Sequence, residues 1–153
     1  MVISMTEADF NRQIINEFRA GGGKVSGPAE GFTLLLLHTR GARSGLERVN
    51  PVAYQLMADG WAVFATHAGA PRHPDWFHNV VAQPETTIEI GTETIPVRAR
   101  VATGEERERI WERQKLFFPR FAKYEERTDR EIPVVILERL TARRPGSRGL
   151  DLS

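Results

Sequence analysis

The residues of this chain best suited to chemistry fall into a few short clusters. Arg40, Arg43 and Arg48 lie within nine positions, with Glu47 as the one carboxylate, which leaves a local charge of +2. Gly41 and Gly45 let the backbone turn tightly and point amides outward, and Ser44 adds a hydroxyl. Backbone amides beside guanidinium forks suit a phosphate or a carboxylate-rich ligand. The same residues also describe a solvated hairpin turn, and they match neither the phosphate loop of nucleotide hydrolases nor the dinucleotide glycine pattern. Val49-Asn50-Pro51 follows. A proline inside an apparent strand marks an edge, a bulge or a ligand contact, and Asn50 both donates and accepts, as the edge of a heterocycle requires. In Thr66-His67-Ala68-Gly69-Ala70, small residues let a planar ligand approach backbone amides closely.

Two further groups could complete a pocket. Trp76 and Asn79 stand three positions apart in Pro74-Asp75-Trp76-Phe77-His78-Asn79 and share a helix face, where Trp76 also serves the core. Phe118, Phe121 and Tyr124 recur at every third residue around Pro119, an aromatic face fit for a core or for a pocket wall. His67, His73 and His78 lack the H-E-x-x-H spacing of a zinc site and any supporting carboxylate pattern, so no metal is expected. With no cysteine in the chain there is no disulfide, thiolate metal site or thiol nucleophile.

Positioning these clusters takes a definite set of elements. Thr6-Glu7-Ala8-Asp9 has the form of a capping box, and Phe10, Ile14 and Phe18 make one apolar stripe, which predicts a helix over 6–20 stopped by Gly21-Gly22-Gly23. Strands are expected from Phe32 to Thr39, Val49 to Met57 and Trp61 to Thr66, with Asp59-Gly60 as a tight turn. A proline-opened helix runs from Pro74 to Val81. Thr86 to Ile90 and Thr94 to Ala102 form a second hairpin around Gly91. Thr103-Gly104-Glu105-Glu106 reads as another capping box opening a helix to about Phe118, and Ile132 to Leu140 is the last strand. Hairpin connections exclude a purely parallel α/β sheet. The expectation is an α+β fold, six antiparallel strands covered by three to four helices.

A chain of 153 residues, 41% hydrophobic and 27% charged, is long enough for a core and for one domain over 1–140. The segment 141–153, with Arg143-Arg144-Pro145-Gly146-Ser147-Arg148-Gly149, is expected to be mobile. A net charge of +1 gives no general attraction to nucleic acid or membrane, and the tail arginines lack the interleaved aromatics of a nucleic-acid site. Glu7 and Asp9 stand where a signal peptide needs basic residues, and Leu34 to Leu37 is too short to span a bilayer, so a cytoplasmic protein is expected. The stripe Phe10–Ile14–Phe18 could lie on a membrane surface, although packing on the sheet is its simpler use. A homodimer through Val134, Val135 and Ile136 is open on the same grounds.

These motifs together resemble one family. Leu36-Leu37-His38-Thr39-Arg40-Gly41-Ala42-Arg43-Ser44-Gly45-Leu46-Glu47-Arg48-Val49-Asn50-Pro51 resembles the T-x-G-[RA]-[KR]-[ST]-G-x-x-R-x-N-P signature of the deazaflavin (coenzyme F420)-dependent nitroreductase and quinone reductase family. Ala65-Thr66-His67-Ala68-Gly69 with Pro74-Asp75-Trp76-Phe77-His78-Asn79 is similar to that family's second signature, and Thr128-Asp129-Arg130-Glu131-Ile132-Pro133 to its closing T-x-R-x-I-P segment. The likeness runs from about Phe10 to Leu140. It departs from the pattern at Ala68, where glycine is frequent, and at His67, near which a lysine is frequent.

The resemblance implies a flavin-type split β-barrel and coenzyme F420, whose tail carries a phosphate and several glutamates. By carry-over, Arg43, Ser44 and Arg48 hold the phosphate and tail, helped by Lys24. Asn50 and Pro51 lie along the ring, and Thr66, His67, Ala68 and Gly69 contact the ring or its linker. Trp76 and Asn79 buttress the site. The implied activity is hydride transfer from reduced F420 to a small conjugated acceptor: a quinone, enone or nitroaromatic. In that reading Tyr124 or Thr66 is the catalytic group that polarises the acceptor or relays a proton, while Phe118, Phe121 and Tyr124 wall the substrate pocket. The alternatives are an FMN-dependent reductase of the same barrel class and a non-catalytic carrier of an apolar ligand or cofactor.

Overall fold

The structure, a computed structural model, describes residues 7–25 and 33–140. The expected cap Thr6, the strand start at Phe32 and the tail arginines lie outside the described residues. Six strands form a closed antiparallel barrel in the order β1-β2-β3-β6-β5-β4. They are β1 (Leu34–Arg40), β2 (Glu47–Met57), β3 (Gly60–Phe64), β4 (Glu85–Ile90), β5 (Glu93–Val101) and β6 (Val134–Arg139). Four α-helices surround them: α1 (Glu7–Ala20), α2 (Asp75–Ala82), α3 (Gly104–Phe117) and α4 (Arg120–Glu126). Among the described residues no helix is long and apolar enough to cross a membrane.

Period-two alternation sorts the strand residues onto two faces. Leu35, Leu37, Val52, Trp61, Val63, Ile88, Val97, Val135 and Leu137 fill the interior, and Trp76 and Val80 of α2 join the same cluster. On the outer face, Ala62, Phe64, Val134 and Ile136 meet Ile110 and Trp111 of α3 and Phe121 of α4. Trp111 is fully buried there, and its indole Nε1 donates to Glu125 Oε2 of α4 at 2.7 Å. Gly60, paired with Glu138 of β6, has no room for a side chain, because an added Cβ would run into the Leu137 carbonyl oxygen.

Differences from the expected boundaries have identifiable causes. β2 begins at Glu47, since Thr39↔Arg48 and Arg40↔Glu47 already pair with β1, so Arg48 belongs to a strand. β3 ends at Phe64, and the Ala65 and Thr66 carbonyls are taken instead by Arg130, at 3.2 and 2.8 Å. The aromatic turn after Pro119 is a separate helix, α4. Thr103 makes no side-chain cap bond, which corrects the second capping box. Its partner Glu106 is held by both arms of Arg100, at 2.7 and 2.9 Å.

Helix α1 docks on the barrel with Ile14 and Phe18 buried, the packing expected of its stripe. Arg19 fixes its C-terminal end, donating to both oxygens of Glu89 on β4 at 3.0 and 2.6 Å. His38 Nε2 lies 2.6 Å from the same carboxylate, and its Nδ1 lies 3.1 Å from Glu47. The Arg19 hydrogen bonds hold the Glu89 carboxyl below its ordinary value of 4.5, helped by His38 and opposed by burial. A carboxylate depressed in the folded state stabilises the protein above its unfolded value and loses that contribution as pH falls through the folded one. Glu89→Gln should therefore lower stability at pH 7 by up to about 1 kcal/mol, the worth of a half-exposed pair. It should also flatten the loss of stability below pH 4.5. Urea melts of both proteins across this range check it, and equal slopes would refute the assignment.

Candidate functional site

One stretch of the barrel's outer face is left without a covering helix. β3 pairs with β2 only from Tyr54 to Met57, so the β2 edge from Asn50 to Ala53 has no strand partner on that side. Pro51, which lacks an N–H, sits in this edge opposite Leu36 of β1, a position where a missing donor costs no ladder bond. A cleft of about 590 Å3 opens there, with Asn50, Pro51, Ala53 and Phe64 on its floor. Phe10, Asn11 and Ile14 of α1 form one wall, and Arg120, Phe121 and Tyr124 of α4 the other. Thr66, His67, Arg72, Pro74, Asp75 and Trp76 close its end.

The closing segment is an unusual piece of backbone. Thr66 is right-handed at φ −74°, ψ −40°. His67, Ala68 and Gly69 then have φ of +48°, +54° and +81°. A side chain in the left-handed region costs roughly 1–2 kcal/mol, so neighbours must hold His67 and Ala68 there. Within the turn, Gly69 N–H donates to the Thr66 carbonyl at 2.8 Å and Ala70 N–H to His67 at 2.9 Å. From outside, Arg127 donates to the Ala68 carbonyl at 3.2 Å. Arg130 donates to the carbonyls of Ala65, Thr66 and Ala70 and to His73 Nδ1. Burial, then Arg130, then His78 push the His73 imidazole below its ordinary value. Gly69 is buried against α4: a Cβ there would lie 2.8 Å from the Tyr124 carbonyl oxygen and 2.9 Å from Arg127 Cβ.

The cleft brings together Asn50, Pro51, Thr66, His67, Trp76, Phe121 and Tyr124 from the sequence-derived set. Other members stand elsewhere. Arg43, Ser44 and Arg48 are exposed on the β1–β2 hairpin at the arginine end of β2, and Ser44 Oγ accepts from Leu46 N–H at 3.1 Å. Asn79 is buried beneath that hairpin, accepting from Ala42 N–H at 3.0 Å and donating to Thr39 Oγ1 at 3.3 Å, so it braces the loop. Ala68 and Gly69 do not line the cleft. Lys24 borders a second cavity, beside Gly23, Tyr54 and Gly91. Phe118, expected as pocket wall, packs instead against the outer core, 6.3 Å from the Phe121 ring. The reason is the break before Pro119, which puts Phe118 at the end of α3 and takes it out of register with Phe121 and Tyr124 on α4. His73 and His78 lie 5.7 Å apart ring to ring, with the Arg130 guanidinium on His73, a setting that repels a cation.

Sequence reasoning missed Arg72 and Arg120, the cations that line the cleft itself, and Asp75 beside them. It also missed Arg130 and Arg127, whose bonds span about sixty positions. The available signals were the T-x-R-x-I-P segment, in which Arg130 stands, and the α1 stripe, whose Ile14 is buried and whose Phe10 and Ile14 line the cleft.

Comparison with known proteins points in one direction. The model of a family described as F420H(2)-dependent quinone reductase matches residues 10–139. The F420H(2)-dependent quinone reductase Rv1261c of Mycobacterium tuberculosis is 34% identical over 108 residues, 69% of this chain and 72% of that protein. A solved structure described as an F420-H2 dependent reductase, FDR-A, superimposes with a TM-score of 0.63 at 38% identity, covering 69% of this chain and 93% of its own. Another, described as a domain-swapped dimer, gives 0.65 at 34% identity, over 83% and 92%.

The contact between the turn and α4 is open to test. Gly69→Ala adds both left-handed strain and a collision with α4, whereas Gly45→Ala, at φ +72° with nothing within 4 Å, adds strain alone. Chemical denaturation should place Gly69→Ala about 1–3 kcal/mol below Gly45→Ala. Equal losses would mean that the turn and α4 are not in firm contact.

Proposed function

Because the chain belongs to the F420H(2)-dependent quinone reductase family, we propose that it transfers a hydride from reduced F420 to a quinone in the cleft along the open edge of β2. The observation that carries this reading is the extent of the family match. Residues 10–139 take in every element that builds the cleft, from Phe10 on α1 through β2 and the 65–73 turn to Tyr124 on α4.

The residues present fit such a cofactor. A volume of about 590 Å3 lies within the roughly 300–1,000 Å3 usual for small-molecule sites. Its floor offers a flat edge without strand cover, where the Asn50 amide can pair with a ring carrying both carbonyl and N–H groups. The exposed Arg43 and Arg48, with the Ser44 hydroxyl, hold the anionic tail at the hairpin end of β2. Arg72 adds a cation at the closed end.

When bound in its reduced form the deazaflavin supplies one hydride, and a quinone that takes this hydride and one proton is released as the quinol. The chain's own work is to bind, orient and protonate. Phe121 and Phe10 flank the acceptor with apolar surface and exclude water. The Tyr124 hydroxyl from the α4 wall and the Thr66 hydroxyl from the closing segment hydrogen-bond the quinone oxygens. One of them passes a proton to the oxygen on which charge develops.

Two measurements check this reading. Fluorescence titration with oxidised F420 should give micromolar binding, with FMN binding much weaker, and Arg43→Ala should weaken F420 at least tenfold while barely changing FMN. Tight FMN binding with no F420 response would overturn the cofactor assignment. In steady-state quinone reduction, Tyr124→Phe or Thr66→Ala should lower kcat about tenfold or more for the residue that transfers the proton. Unchanged kcat in both variants would remove side-chain proton transfer from the mechanism.

A further inference from the structure

We propose that Arg130 is a positioning residue, whose guanidinium sets the left-handed turn at the closed end of the cleft and with it the presentation of Thr66 and His67. The inference rests on reading that cleft as the cofactor and acceptor site.

The segment between β3 and α2 has little structure of its own. Two backbone hydrogen bonds close the turn and His67 Nδ1 lies 3.3 Å from the Arg72 carbonyl oxygen, yet His67 and Ala68 hold left-handed conformations that a free loop would abandon. Arg130 supplies what is missing. Its Nε donates to Ala70 O at 2.9 Å, Nη1 to Ala65 O at 3.2 Å and to His73 Nδ1 at 2.8 Å, and Nη2 to Thr66 O at 2.8 Å. Four of the five guanidinium N–H groups are thus spent on one stretch of backbone and its neighbouring imidazole. The planar fork bridges both sides of the turn at once, which a lysine ammonium cannot do.

The bonds also set a direction. Among the described residues the peptides are trans, so a carbonyl aimed at Arg130 sends the N–H of the same peptide the opposite way. Clamping Ala65 O and Thr66 O therefore turns the amides of Thr66 and His67 away from the guanidinium, and both residues line the cleft. No carboxylate pairs with Arg130 among the described residues. Its acceptors are carbonyl oxygens and a ring nitrogen, and burial draws its pKa down from the ordinary value. The guanidinium thus polarises the clamped peptides toward the cleft as well as fixing them.

The test compares wild type with Arg130→Lys, which keeps the charge and loses the fork, and with His73→Ala, which removes one of the four bonds and leaves Arg130 in place. Three readouts are taken. They are amide hydrogen exchange of the ligand-free protein, the Kd for oxidised F420 by fluorescence, and kcat and KM in quinone reduction. Arg130→Lys should exchange at least tenfold faster at Gly69 and Ala70 while the β1 and β6 amides keep their protection. It should also bind F420 at least tenfold more weakly. His73→Ala should give smaller changes of the same kind. Unchanged exchange at Gly69 and Ala70 overturns the proposal. So does faster exchange spread evenly over turn and barrel with an unchanged Kd, since that describes a purely structural residue. A wild type that binds no F420 would instead refute the functional reading, and the exchange arm would still decide the role of Arg130.

Discussion

Closing six strands into a barrel forces each strand to divide its side chains between a sealed interior and an outer face, and the placement of the site follows from that division. The interior is packed with side chains. Large residues such as Trp61, Leu37 and Leu137 fill it, and Trp76 of α2 joins them. The cleft lies outside that packed interior, where α1 packs on β2, α2 on β1 and β5, and α3 and α4 on β3 and β6. The gap between them falls on β2 because β3 leaves its partner at Tyr54↔Val63 and ends at Phe64. Pro51 cannot donate to a strand on that side and none is present, so the sequence of β2 matches its open edge.

Charge is distributed to serve the same geometry. The chain is nearly neutral, at +1, yet its ions are not evenly paired. Arg19 and Glu89 join α1 to the barrel, Arg98 and Glu85 lie side by side on neighbouring strands, and Arg100 spans Glu106 and Glu138. Lys115 meets Glu125 between α3 and α4. These carboxylates fasten helix to strand, strand to strand and helix to helix, while Arg43, Arg48 and Arg72 have no carboxylate partner among the described residues. A protein without net attraction for anions can in this way keep a local positive field at the hairpin, from Arg43 and Arg48, and at the cleft, from Arg72. That field acts over about a Debye length, roughly 10 Å at moderate salt.

Much of this was legible in the sequence where a local rule applied. Apolar runs bounded by turn residues identified the strands, the Phe10–Ile14–Phe18 spacing identified the docked helix, and Pro51 was read as an edge, a bulge or a ligand contact, of which the structure shows the edge. Local rules failed where a distant group competed for the same atoms. Thr103 and Glu106 have capping-box spacing, but Arg100 on β5 takes the carboxylate. Thr66 looks like the end of a strand, but Arg130 takes its carbonyl. Phe118 shares a three-residue period with Phe121 and Tyr124, but the break before Pro119 starts a new helix and turns Phe118 into the core. Arg127 and Arg130 have no periodicity linking them to the turn they hold. Their contacts arise only once β3 and β6 pair and bring the segment before β6 beside the segment after β3.

That long-range closure also ties the two hydroxyls of the cleft to one rigid unit. Thr66 belongs to the turn and Tyr124 to α4, elements separated by most of the barrel in sequence. They are joined by the Gly69 contact with the Tyr124 carbonyl, the Arg127 bond to Ala68 and the Phe121–Tyr124 ring contact at 5.3 Å. Phe121 in turn packs edge-on against Phe64 at 5.6 Å, the last residue of β3. The chain from β3 through the turn to α4 and back to β3 is therefore a closed loop of contacts. The end of β3, the turn and α4 therefore hold one another in place, and the lining residues Thr66 and Tyr124 belong to that one unit.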